Sequence, residues 1–339
     1  MKKTFSVGIA GTAKNTGKTT TMNALLAEIK KEEGFVTAFT SIGYDGESFD
    51  NVTGLPKPRI RVWEGCLVAV AEKCLPYSDA EIEIISSTGI ETPLGPVLIG
   101  RAAKGGKMTL AGPNKRQELR AVLNIFQQMG TDLVIVDGAL NRIAPMSEAD
   151  ALILATGAAR NTDIDRLAAE TGQLVGMFNL PAGDRSGMNR VSSVLAQKSY
   201  ETFLTAWAQG DVYVDGVFCE KFLSQLADSG TGVTSGKRLL FPDPMKVILS
   251  GEIGRVEDSL GKLARAGVTT RVAKTVQTLL VTINPFYPQY RMNLQRYEAA
   301  YVDKDALQKS IAAQLQIPCF NVMQQGGQGI WQALQNAMQ

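Results

Sequence analysis

Histidine is absent from all 339 residues. That absence excludes Ser-His-Asp and Cys-His nucleophilic triads together with every metal site built on imidazole. The four cysteines, Cys66, Cys74, Cys219 and Cys319, lie far apart and form no CxxC pair, which argues against a zinc ribbon or a redox dithiol. They read as buried free thiols in a reducing compartment. An excess of one charge is also missing: 35 Lys and Arg face 33 Asp and Glu, a balance of +2 that speaks against wholesale binding to nucleic acid or an anionic membrane. Long apolar runs are lacking too. Lys14 and Lys18 interrupt the stretch from Phe5 to Ala13 too early for a signal peptide, and the uncharged tail 310–339 holds eight glutamines, unlike a membrane span. The expectation is a cytoplasmic protein with neither nucleic acid nor membrane as partner.

What is present suffices for a core. Hydrophobic residues make up 45% and charged ones 20%, near the averages for folded soluble chains. The length suits two domains or one large α/β domain, and we read it as a single domain over 1–339 with an insertion at about 46–112. Residues 4–11 form a short apolar strand, and Met22, Leu25, Leu26 and Ile29 follow at amphipathic-helix spacing. Val36–Ile42 reads as a second strand. Within the insertion, 59–63 and 81–86 read as strands around a short helical stretch at Leu67–Lys73. Helix periodicity returns at Leu119–Met129, and Leu133–Val136 and Ala151–Ala155 are fully apolar strands. Further on, the pattern predicts helices at Thr162–Leu174, Arg190–Ala208 and around Val256–Leu263. Strands are predicted at Val212–Cys219, Lys246–Leu249, Gln277–Ile283 and Cys319–Met323. Short apolar strands alternating with helices predict a doubly wound, mainly parallel sheet with a partly antiparallel insertion; the segment GTAKNTGKTT at Gly11–Thr20, between strand and helix, makes the expected sheet one of P-loop NTPase type.

The segment Gly11-Thr12-Ala13-Lys14-Asn15-Thr16-Gly17-Lys18-Thr19-Thr20 joins the first strand to the first helix, the context a phosphate-binding loop requires. There, loop N–H groups and the helix N-terminus face the phosphates, Lys18 reaches the β/γ oxygens and the Thr19 hydroxyl can ligate Mg2+. Thr12 stands where GxxxxGK[ST] has its first glycine. Asp137, closing Leu133–Asp137 before Gly138, has the place of the carboxylate that holds the magnesium shell; a plain turn is the alternative. Asp45 is a further magnesium or water contact, or shapes its turn. Thr156-Gly157 can approach the nucleotide or make a tight turn. Asn284 lies at a strand end where base contacts occur, adenine recognition and a turn both being open. Arg101, Lys104, Lys107, Lys115, Arg116 and Arg120 face phosphates, an acidic partner, or only solvent. No Asn-Lys-x-Asp motif is present, which favours ATP over GTP.

The loop resembles that of dethiobiotin synthetase and cobyrinic acid amide synthase. A narrower resemblance adds Thr88–Gly95, Ala111-Gly112-Pro113, Val136–Arg142 and Ala155–Ala158 to the loop, and together these resemble the P-loop subunit of the lysine 5,6-aminomutase reactivase. The resemblance implies an accessory ATPase that uses ATP and Mg2+, with a companion subunit, to restore a cobalamin- and pyridoxal-phosphate-dependent aminomutase; a homodimer is compatible with it. The alternatives are an ATP-dependent synthetase or kinase acting on a small carboxylate, and a nucleotide-gated scaffold without turnover.

Overall fold

The computed structural model describes residues 4–45, 59–140, 143–229 and 236–339. By contact the chain divides into two compact units, 1–168 with 278–339, and 169–277. The sequence reading treats 1–339 as one domain. No composition shift marks the division, because its first boundary falls inside one helix, Ile164–Phe178.

The first unit opens with β1 (Phe5–Gly11), α1 (Lys18–Ile29), β2 (Thr37–Ser41) and β3 (Tyr44–Asp45). It continues with β4 (Ile60–Val62), β5 (Leu67–Ala71), β6 (Glu81–Thr92), β7 (Gly95–Lys104), β8 (Gly106–Met108) and β9 (Leu110–Ala111). Then come α2 (Arg116–Gln128), β10 (Leu133–Ala139) and β11 (Ala151–Gly157), and α3 (Ile164–Phe178) runs from the first unit into the second. In the second unit lie β12 (Asn189–Val191), α4 (Gln197–Gln209), β13 (Val212–Val214), α5 (Glu220–Asp228), β14 (Arg238–Phe241), α6 (Pro244–Ile248), α7 (Ile253–Arg265) and β15 (Thr269–Val272). The chain returns to the first unit through β16 (Gln277–Asn284), β17 (Phe286–Arg291), β18 (Arg296–Tyr301), α8 (Lys304–Ala313), β19 (Cys319–Asn321), α9 (Val322–Gln325) and α10 (Gln328–Met338).

Nine strands of the first unit form one sheet in the order β19-β16-β11-β1-β10-β2-β5-β7-β6. Pairing is parallel between β19 and β16 and from β11 through β1, β10 and β2 to β5, and β7 and β6 add an antiparallel edge. The central strands are buried on both faces, so they read as continuous apolar runs such as Leu133–Val136. On the α1 face, Val7, Ile9, Phe39, Ile135 and Ile153 pack with Met22, Leu25 and Ile29, and Trp331 closes the same core from α10. The second unit has its own four-stranded parallel sheet, β12-β13-β14-β15, with an aromatic core of Tyr200, Phe203, Trp207 and Phe218.

Three expected elements change type. Leu67–Lys73 is a strand followed by a 3-10 turn, since an all-buried strand lacks the alternation that marks it. Lys246–Leu249 lies in the short helix α6, which starts where the Asp243 carboxylate accepts the N–H of Lys246 and Pro244 sits in the first turn. Arg190–Ala208 is strand β12 and then α4, whose start is tied by the Ser199 hydroxyl accepting the N–H groups of Leu195 and Ala196. The strand expected over Val212–Cys219 is shorter, ending at Val214. Among the described residues no helix is long and apolar enough to cross a membrane.

Candidate functional site

Every described residue of this site belongs to the first unit. β1 runs between β10 and β11 with Ile9 beside Asp137 and Gly11 beside Ala155, which brings three strand ends under the loop 12–17. The Thr12 N–H donates to Ala155 O (2.9 Å) and its hydroxyl to the Thr156 hydroxyl (3.0 Å). A glycine at position 12 would lose this second tether, a physical reason for the departure from the usual pattern. The Thr16 hydroxyl donates to Ala13 O (2.9 Å), closing the loop on itself. Asn15 has φ 63° and Gly17 φ 90°, the left-handed region in which asparagine and glycine are the least strained residues. Gly17 is also the N-cap of α1 and carries no side chain, so no side-chain cap covers the first turn. The N–H groups at that end have no partner within the helix, and the helix dipole adds partial positive charge, a setting that would favour an anion.

Lys18, the first residue of α1, places Nζ 3.0 Å from Asp137 Oδ1. Their side chains are 12% and 1% exposed, so the pair lies under the loop, away from bulk water. Asp137 sits inside β10, which runs on through Gly138 to Ala139, and the plain-turn alternative for Asp-Gly is thereby corrected. Glycine at 138 leaves room for the end of Met146, since a Cβ there would stand 2.6 Å from Met146 Cε and the methionine would have to shift. Thr16 and Thr19 are buried; Ala13, Asn15 and Thr20 are half-buried; Lys14 is exposed. Ser41 is the register partner of Asp137 on β2, and its fully buried hydroxyl has no hydrogen-bond partner among the described residues.

Asn284 ends β16 beside the loop. Its Nδ2 donates to Asn15 O (2.9 Å), its Oδ1 accepts the N–H of Phe286 (3.2 Å), and its carbonyl accepts the N–H of Ala158 (2.9 Å). A Cβ on Gly157 would lie 2.2 Å from Asn284 O, and one on Gly17 would lie 3.1 Å from Asn284 Cβ. Asn284 thus holds the loop 12–17 in shape. Two contributors escaped the sequence reading. Arg160 Nη1 donates to Thr12 O (3.0 Å), and the Thr21 and Thr282 hydroxyls bond at 2.7 Å between α1 and β16. Single residues spaced 148 and 261 positions from their partners leave no local signal.

The remaining candidates separate. The Asp45 backbone pairs with Leu110 across β3 and β9, while its side chain, like Asn141 and Arg142, lies outside the described residues. The basic run is largely matched by carboxylates of the chain itself: Lys104 pairs with Glu81, Lys115 with Glu118, and Arg116 and Arg120 with Glu148. Thr88–Gly95 forms the end of β6 and the turn into β7, whereas Ala111-Gly112-Pro113 folds against β2, a Cβ on Gly112 falling 2.3 Å from Ser41 O. Among the described residues no group of three or more acidic or thiol side chains forms a metal cage, so Mg2+ would rest on Thr19 and Asp137 together with phosphate and water oxygens.

A central parallel strand, a glycine-capped loop, a helix starting with Lys-Thr and a carboxylate on the adjacent strand define the architecture. It is an α/β fold on a large, mainly parallel sheet. No family model and no curated protein matches the chain. Among solved structures, the ParA family ATPase from Chlorobium tepidum TLS aligns over 92% of this chain and 90% of its own at 12% identity and a TM-score of 0.28. The signal recognition particle receptor FtsY from Elizabethkingia anophelis aligns over 92% of this chain and 66% of its own at 10% identity and a TM-score of 0.26. Likenesses this loose carry no weight for activity, which has to be argued from the site.

Proposed function

We propose that this chain binds Mg-ATP at the loop 12–20 and hydrolyses it, using the difference between its ATP and ADP states to act on a protein client. The observation that carries the reading is the Lys18–Asp137 contact at 3.0 Å beneath an uncapped helix N-terminus. The donors fit a triphosphate: loop and first-turn N–H groups toward the β-phosphate, and the Lys18 ammonium toward the β/γ oxygens. Thr19 and Asp137 would hold the magnesium shell, and Mg2+, when bound, neutralises charge on the phosphate oxygens. Asn284 and Arg160 keep the loop from relaxing, so the donors are oriented before the phosphates arrive. Asn284 adenine recognition stays part of this reading, since its Oδ1 and one N–H are engaged while a second N–H remains in its inventory.

The client follows from the resemblance of the loop, Thr88–Gly95, Ala111–Pro113, Val136–Arg142 and Ala155–Ala158 to the aminomutase reactivase: a cobalamin-dependent aminomutase, served together with a companion subunit. The test is reconstitution. A lysine 5,6-aminomutase inactivated by turnover is mixed with this protein, the companion subunit, Mg-ATP and fresh adenosylcobalamin. Recovery that fails with Lys18→Ala is expected, and no recovery, or equal recovery with the variant, refutes the client.

A further inference from the structure

The ribbon β17–β18 forms a two-stranded sheet of its own, apart from the nine-stranded sheet. Its antiparallel register pairs Phe286 with Tyr301, Pro288 with Ala299 and Tyr290 with Tyr297, and alternately Tyr287 with Ala300, Gln289 with Glu298 and Arg291 with Arg296. Opposed residues share a face and successive pairs alternate between faces. One face is therefore Phe286, Pro288, Tyr290, Tyr297, Ala299 and Tyr301, with no charged residue. All three charges lie on the other face, where Glu298 pairs with Arg291 and Arg296. On the uncharged face the rings of Phe286 and Tyr301 meet edge to face at 5.9 Å, and those of Tyr290 and Tyr297 at 5.1 Å.

This face is open. Tyr290 is 45% and Tyr301 66% exposed, and at the tip Met292 is 81% and Leu294 48% exposed. These are four of the ten large apolar side chains exposed among the described residues, gathered on one ribbon. A lone two-stranded ribbon is marginal in water, and such an apolar surface marks an interaction site.

We propose that this face binds the same face of a second copy of the chain, giving a weak two-fold dimer. Three features favour a copy. The face carries no charge, so its self-association meets no like-charge penalty, while the charged face is satisfied internally. At roughly 200 Å² per large side chain, Tyr290 and Tyr301 on the face together with Met292 and Leu294 in the turn at its tip offer about 500 Å² per copy and about 1,000 Å² for a pair when face and tip are both covered, the lower bound of specific interfaces. Pro288 has no N–H, which disfavours strand addition at the β17 edge, and a two-fold contact of one face with itself closes at two copies. The inference does not depend on the nucleotide reading.

Sedimentation of the full chain from about 1 to 200 µM decides it. The expected result is a concentration-dependent dimer that Tyr290→Ser with Met292→Ser weakens at least tenfold, and that Tyr301→Arg abolishes by setting like charges face to face. The replaced side chains are exposed, and although the tyrosines lose their ring contacts with Tyr297 and Phe286, a cooperative unfolding transition close to that of the wild type verifies the fold. A monomer at every concentration, or a dimer indifferent to both variants, overturns the proposal. A monomer whose ribbon variants instead lose binding to lysine 5,6-aminomutase assigns the face to a different protein and overturns it equally.

Discussion

Removing Lys18 does two things at once, and the second is measurable without any nucleotide. The ammonium stands 3.0 Å from a carboxylate that is 1% exposed. At an effective dielectric constant of about 20, Coulomb attraction at that distance amounts to about 5 kcal/mol, most of it offset by the cost of taking both charges from water. Lys18→Ala leaves the carboxylate buried without its cation, which costs about 3 to 5 kcal/mol for a fully enclosed pair. The lysine is 12% exposed, and Asp137 has other interactions, so we expect the lower end, about 3 kcal/mol. Asp137→Asn strands no buried anion and should cost about 1 to 2 kcal/mol. The double variant carries neither charge and should be at least about 1.5 kcal/mol better than the sum of the singles. Urea unfolding of the four proteins at pH 7 measures this coupling. Additivity within about 0.5 kcal/mol would refute the buried pair.

The other predictions address the loop, the base and the thiols. Gly157→Ala drives a Cβ to 2.2 Å from Asn284 O, so stability should fall by about 1 to 3 kcal/mol and Mg-ATP affinity at least tenfold, read by unfolding and calorimetry. Competition binding should favour ATP over GTP by about tenfold, or about 1.4 kcal/mol, and equal affinities would mean the base is not discriminated. Burial pushes the Cys66 and Cys319 thiols from 9.0 up to about 12. Their stabilisation is complete below pH 9.0 and is lost as pH rises toward about 12, because the unfolded chain releases its protons first. At pH 8 the buried Cys66 should be alkylated at least about a hundredfold more slowly in the native protein than in urea, and equal rates would contradict its burial; Cys319 and Cys219 are half-buried and not buried as the sequence suggests, so Cys319 should be slowed less.

The parts of the site that were legible in the sequence are those written in contiguous residues. Gly17-Lys18-Thr19 and Leu133–Asp137 carry their pattern locally, because a buried parallel strand must be apolar throughout and a phosphate loop must lie between strand and helix. Asn284 was legible as a candidate at a strand end but not its bond to Asn15; Arg160, in the turn after β11, reaches Thr12 O, and Thr282 on β16 reaches Thr21 of α1, contacts that only the assembled sheet brings together. The second unit was hidden for a related reason: α3 crosses its boundary without a break in apolar periodicity. The helix α6 was legible after all, in Asp243-Pro244, a cap followed by proline in the first turn, but Val247-Ile248-Leu249 reads as a strand when taken alone. Leu67–Ala71 offered no alternation from which strand and helix could be told apart.

The central claim is that Lys18, beside Asp137 and the uncapped start of α1, holds the phosphates of Mg-ATP. Isothermal calorimetry of Mg-ATP with the wild type and with Lys18→Ala, each verified as folded, tests it most directly. Saturable binding to the wild type at one site per chain, weakened at least a hundredfold in the variant, about 2.7 kcal/mol, is the predicted result. No heat with the wild type, or the same isotherm with Lys18→Ala, would contradict it.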